Sequence, residues 1–211
     1  MDEATIAAID SPGMRPGLQR RSRETVARLI GAGVDLLATC DFDDLSIERI
    51  CAQADVTVGS FYARFDGRDA YLAALQRVVF EQARQQIEAV YARDLPTDTL
   101  ESFLEFVVRA TLAWYRAHEG FLRAMLREAG RTPESWTPLR DLGRLQVERA
   151  LPCITDISGR GRAASRDTRL AFQLLHGALN NMVQIDPGPL RLHDRGAARH
   201  LADMMVRMIG R

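Results

Sequence analysis

Apolar residues recur at three- and four-residue intervals along almost the whole chain, and no segment shows sustained alternation. Val26, Leu29, Ile30, Gly33, Leu36 and Leu37 form the first such stripe and predict a helix over about 18–39. After the polar break CDFDDL, Ser46 is placed to N-cap a short helix carrying Ile47, Ile50 and Cys51. Ala54-Asp55-Val56 reads as a tight turn, Thr57 caps another short helix to about Phe65, and Asp66-Gly67 is a further turn signal. A long stripe from Tyr71 to Val90 predicts a helix over 68–92. Further helices are expected at 97–118, 121–129, 138–157, 163–185 and 191–209, with a loop over 130–138 and with Pro152 bending or shortening the helix at 138–157. The expectation is an all-α chain of about nine helices, with no internal repeat.

Composition narrows the functional classes. The 211 residues are 46% hydrophobic and 27% charged, enough for a sizeable core. Acids and bases cancel at 28 each, which excludes a uniformly basic coat. Every base is arginine, so lysine-based Schiff-base or phosphate-loop chemistry is absent. Three scattered cysteines do not make a disulfide framework and point to a reducing compartment. The N-terminus lacks the charge pattern of a secretory signal, and the uncharged run Leu170–Ile185 is too short and too polar to span a bilayer. These features suggest a soluble, cytoplasmic protein. No hydrolase elbow, phosphate loop, dinucleotide fingerprint or metal-ligand spacing is present, so neither an enzyme, a cofactor nor a bound metal is expected.

Residues 46–65, SIERICAQADVTVGSFYARF, have the spacing of a helix-turn-helix whose second helix can enter a DNA major groove. Thr57, Val58 and Ser60 lie near its N-terminal end, where base edges are reached. Ser46, Tyr62, Arg64 and Arg68 are candidates for phosphate contacts, which position the helix without reading sequence. Arg20 and Arg21 belong to a basic run of net +4 over 15–28 and are further candidates. Phe61 and Phe65 read as core. The segment 15–75 nevertheless holds eight arginines against nine acids, three of them at Asp41, Asp43 and Asp44.

In order along the chain, the arginine-rich start, AGVDLLATCDFDDLS, SIERICAQADVTVGSFYARF and DGRDAYLAAL resemble the DNA-binding domain of the tetracycline-repressor (TetR) family of bacterial regulators. Arg68 stands where that family usually has lysine, and valine occupies position 58, which is often polar or basic there. A thymine methyl is the natural contact for valine. Residues 1–14 carry Asp2, Glu3 and Asp10, end in SPG and read as a mobile tail, and the resemblance implies a DNA-binding domain over 15–67 and a helical regulatory and dimerisation domain over 68–211. It also implies a homodimer paired through helices 8 and 9 on a palindromic double-stranded operator. Repression would be relieved by a small, partly apolar effector held among helices 4 to 8. Phe103, Phe106, Trp114, Phe121, Met125, Phe172 and His176 are the pocket candidates. Gln173, His176, Asn180 and Gln184 serve either a ligand or a dimer seam. Two alternatives remain open: a constitutive DNA-binding protein with a filled core, and an all-α interaction module.

Overall fold

The computed structural model describes residues 11–15, 20–131, 133–185 and 188–210. Among them are nine α-helices, two short 3₁₀ turns and no strand beyond one isolated bridge. The first three helices, α1 (Arg20–Leu36), α2 (Ile47–Ala54) and α3 (Val58–Tyr62), form one end of the molecule. The remainder is α4 (Arg68–Tyr91), α5 (Leu100–Ala117), α6 (Glu119–Arg131), α7 (Thr137–Ser158), α8 (Gly161–Ile185) and α9 (Ala197–Ile209). The 3₁₀ turns are Phe42–Asp44 and Pro133–Trp136.

Capping side chains set the helix starts. The Ser46 hydroxyl accepts from the Arg49 amide, Thr57 from Ser60, and Thr99 from Ser102. The cap at Thr99 moves the start of α5 to Leu100, three residues later than the apolar stripe suggests. Asp55, at φ 50°, ends α2 in the left-handed conformation that a short polar side chain tolerates. Pro152 does not terminate α7, which continues to Ser158 and ends on Gly159 at φ 64°. The expected loop over 130–138 is instead the end of α6, the second 3₁₀ turn and the first turn of α7. Residues preceding Ala197 are turns, so α9 is shorter than the expected helix over 191–209.

Residues 1–10 of the expected tail, and 16–19 of the basic run, lie outside the described residues. Residues 11–15 are docked. Met14 bridges Phe65, the Arg15 amide donates to the Arg64 carbonyl at 2.6 Å, and the Asp66 amide donates to Gly13 at 2.9 Å. The Arg15 guanidinium pairs with Asp66.

In the larger part, α9 packs on α5 and α8, while α7 packs on α4 and α8. Helix α4 belongs to both parts: its first turns pack on α1, and its later turns on α7. At 1.5 Å per residue its 24 residues span about 36 Å. A second connection runs through α6. Phe121 meets Phe42 edge-on at 6.1 Å and Phe80 at 5.7 Å. Arg127 pairs with Asp41, and Arg131 with Asp43 at 3.1 Å.

The approach of α6 to the end of α1 requires glycine at position 120. A Cβ there would lie 2.2 Å from the Leu37 carbonyl oxygen and 2.6 Å from the Ala38 Cα, both backbone atoms that cannot swing aside. Gly130, ten residues on in the same helix, has open space around it. Gly120→Ala should therefore destabilise the protein by about 1–3 kcal/mol through overpacking. Gly130→Ala should stabilise it by about 0.5–1 kcal/mol through the lower flexibility of the unfolded chain. Thermal unfolding of the two variants should show shifts of opposite sign.

Candidate nucleic-acid interface and internal cavity

A five-residue helix has no stability of its own, because nucleation alone consumes a turn. Helix α3 is held by one side chain. Phe61 is fully buried, with ring centroids 5.3 Å from Phe65 and 5.5 Å from Tyr71. Phe65 meets Tyr71 edge-on at 5.2 Å. The Tyr71 hydroxyl reaches through the core to donate to the Leu29 carbonyl at 2.8 Å, and burial holds its phenol far above the usual range. Gly33 makes room for that hydroxyl: a Cβ at position 33 would sit 2.0 Å from it. On the far side, Arg28 clasps the turn before α3 through the Asp55 carbonyl at 2.7 Å and its carboxylate at 3.1 Å.

The opposite face of α3 is open. Thr57 and Gly59 are exposed, Val58 is 40% exposed and Tyr62 51%. Ser60 is half-buried, its hydroxyl 2.9 Å from that of Thr57. Arg64 is half-buried, with its Nε unpartnered, while Arg20 and Arg21 are exposed at the start of α1. Arg20 also donates to Glu24 at 2.7 Å. Ser46 is half-buried at the cap of α2. The structure thus gathers Thr57, Val58 and Tyr62 on one solvent-facing surface.

Arg68 is placed differently from expectation. Its Nε donates to the Leu45 carbonyl at 2.7 Å and its Nη2 to the Phe42 carbonyl. These bonds close the 3₁₀ turn onto the start of α4, so Nε and Nη2 of the guanidinium are engaged within the protein. The acidic loop is likewise engaged: Asp41 and Asp43 face the arginines of α6, and Asp44 accepts from the Asp41 amide.

A cavity of about 630 Å³ lies between α4, α5, α7 and α8. Its walls are largely apolar, with Ile87, Val90, Val107, Leu139 and Val147 among them, which is the character of small-molecule sites. Trp114 and His176 line it, as expected. The other five candidates do not. Phe103, Phe121, Met125 and Phe172 are buried in close-packed core, and Phe106 packs half-buried against that core. Gln173 and Asn180 join His176 on the wall, whereas Gln184 does not.

A directed hydrogen-bond chain crosses the cavity wall. The Thr111 hydroxyl donates to the Val107 carbonyl at 2.9 Å, and the Gln146 amide donates to Thr111 at 2.6 Å. The Gln146 oxygen is left to accept from His176 Nε2 at 2.8 Å, which sets the histidine tautomer. Tyr115 donates separately to Asn180 at 2.9 Å. Burial pushes His176 down to about 4, so the ring is neutral near pH 7. His118, stacked on Trp114 at 5.0 Å, is also lowered by burial. Sequence reading missed Thr111 and Gln146; the signal for Gln146 was an uncharged amide on the inward stripe of α7. Among the described residues no cluster of His, Cys, Asp and Glu could hold a metal ion, and no helix is long and apolar enough to cross a membrane.

Residues 29–75 match the family model of the bacterial regulatory proteins, tetR family. This segment, under a quarter of the chain, is what resembles the tetR family, and the fold is like that of solved tetR-family regulators, an N-terminal helix-turn-helix domain followed by a helical domain. The chain is similar to a tetR-family transcriptional regulator from Streptomyces coelicolor, with TM-score 0.67 and 16% identity, over 88% of this chain and 80% of that one. It is similar to Salmonella enterica GusR, with TM-score 0.65 and 17% identity, over 91% and 98%. It is also similar to the transcriptional regulator FadR from Bacillus subtilis, solved in complex with stearoyl-CoA, with TM-score 0.62 and 18% identity, over 87% and 98%. A comparison with curated proteins finds no match in sequence.

Replacing Arg68 by alanine should lower stability by about 1–3 kcal/mol by orphaning two carbonyls, with Arg68→Lys intermediate. Unchanged urea unfolding together with weakened DNA binding would return Arg68 to the phosphate role. For His176, the unfolded chain binds the extra proton below pH 6.5 and the folded chain only near pH 4. Stability is therefore full above pH 6.5 and declines as pH falls towards 4, by about 2 kcal/mol between pH 7 and 5. His176→Gln should flatten that slope in urea titrations at the two pH values.

Proposed function

We propose that the protein is a ligand-responsive transcriptional repressor that binds a palindromic operator as a homodimer. The observation that carries the reading is the two-sided build of α3: Phe61 locked into an aromatic core, and Thr57, Val58 and Tyr62 presented outward. In this reading residues 15–67 form the DNA-binding domain and 68–211 the regulatory and dimerisation domain. Thr57, Val58 and Ser60 meet base edges, and Val58 contributes an apolar contact suited to a thymine methyl. Ser46, Tyr62, Arg64, Arg20 and Arg21 meet phosphates. Arg68 acts one step back, by holding the turn that orients α2.

An exposed apolar stripe supports pairing through α8 and α9. Leu170, Leu174 and Ile185 stand in solvent along one side of α8, with Gly177 and Asn181 between them, and Met204 is exposed on α9. A second copy of the same stripe buries these side chains by two-fold symmetry. The cavity supports a small-molecule effector. Occupancy would change the placement of α4 and α6, and with it the match of two α3 helices to half-sites about 34 Å apart. Effector and operator then weaken each other by the same factor.

Selection of bound fragments from sheared bacterial genomic DNA tests the reading. The wild type should enrich a palindrome. Val58→Ala should alter the preferred bases, whereas Tyr62→Phe and Arg64→Gln should weaken all duplexes alike and reduce the salt slope by about one unit for the arginine. Absence of any enrichment at low salt would overturn the proposal in favour of an interaction module.

A further inference from the structure

We propose that the cavity takes an amphipathic organic anion, its apolar body between α4 and α5 and its carboxylate or phosphate at the arginines of α7 and α8. The proposal rests on the reading of this cavity as the effector site and names the class of molecule that fits it. Every charged residue on the lining is an arginine: Arg140 and Arg144 one turn apart on α7, and Arg169 on α8. No aspartate or glutamate lines the cavity.

The arginines retain capacity for a ligand. Arg140 makes one bond, to the Thr137 hydroxyl at 3.2 Å, and Arg144 makes a long contact with Asp141 at 3.4 Å. Arg169 has no partner among the described residues. A guanidinium presents paired N–H groups whose spacing matches carboxylate and phosphate oxygens, so both heads suit it.

The remaining polar groups argue against a cation. His176, Gln146 and Thr111 are satisfied by one another, and Tyr115 and Asn180 form a second closed pair. None of them carries negative charge. Among the aromatic residues on the lining, Trp114 is stacked on His118 and meets Tyr115 edge-on at 5.5 Å, so one face of its ring is already covered. An apolar chain fits against Ile87, Val90 and Val107 with its charged end at the arginines, and the Tyr91 hydroxyl and Trp114 Nε1, buried on the same lining without partners among the described residues, are donors open to a ligand oxygen.

The chain has two tryptophans, Trp114 and Trp136, and both line this cavity, so intrinsic tryptophan fluorescence reads its occupancy directly. Four probes share one ten-carbon chain and differ only in the head: decanoate, decyl phosphate, decylammonium and 1-decanol. Titrated into the full-length protein without DNA, the two anions should bind at least about tenfold more tightly than the other two, and the gap should narrow at high salt. Which anion binds better identifies the head as carboxylate or phosphate.

The combined variant Arg140→Gln, Arg144→Gln, Arg169→Gln changes exposed side chains and should fold as the wild type does. It should lose the preference for anions while its affinity for 1-decanol stays within about twofold. Equal binding of all heads, tighter binding of decylammonium, no response to any probe, or an undiminished preference in the variant would each overturn the proposal. Arginine-dependent anion binding that leaves DNA affinity unchanged would uphold the ligand class and overturn the effector reading, so the two failures are distinguishable.

Discussion

The Tyr71 hydroxyl bonded to the Leu29 carbonyl joins two helices through residues 42 positions apart, and the seat of α3 is built around it. The three N-terminal helices are short and must share one small core. Tyr71 supplies that core with a ring against Phe61 and Phe65 and with a polar end that needs a buried acceptor. Gly33 admits the hydroxyl, and the carbonyl of Leu29 receives it. Without this arrangement Phe61 would lose its seat, and α3, too short to persist alone, would have nothing to hold its outward residues in register.

Because Tyr71 belongs to α4, the same constraint ties the end that carries α3 to the cavity. Ala83, Ile87, Val90 and Tyr91 of that helix line the cavity, while its first turns carry Arg68 and Tyr71. A continuous helix is a stiff link over this length. Helix α6 is a second link at a different point, through Gly120 against α1 and Phe121 between Phe42 and Phe80. In the proposed mechanism two links are better than one. A single rod transmits tilt about its own seat, whereas two attachments separated in space specify how the small domain rotates.

The helical plan and the face of α3 were legible in sequence because both rest on local rules. Ser46, Thr57 and Thr99 cap the helices that follow them, and the period of the apolar residues marks which sides are buried. The cavity wall was legible only in part. Phe103, Phe121, Met125 and Phe172 are apolar, and a close-packed core and a cavity wall select for the same residue types. Gln173, His176 and Asn180 stood out as polar groups at or near helical spacing along one apolar helix. The internal bonds of Arg68 were not legible because its acceptors, the carbonyls of Leu45 and Phe42, are 23 and 26 residues away and belong to a turn whose shape no local pattern announces. The mobile tail expected through residue 14 failed in its described part for a similar reason: Met14 meets Phe65, a residue far along the chain.

The acidic loop shows which forces position the N-terminal three helices. Counted alone, residues 15–75 are net −1, a poor complement to DNA. In the fold, Asp41 and Asp43 are met by Arg127 and Arg131, so part of that negative charge is neutralised by the other domain. These pairs are exposed, and exposed pairs contribute about 0–1 kcal/mol each. They are too weak to hold the domains together. The close approach at Gly120 and the burial of Phe121 stabilise the contact more, since a fully buried phenylalanine contributes about 1.5–3 kcal/mol. The apolar contact therefore sets the distance between α6 and the 3₁₀ turn, and the ion pairs set its register.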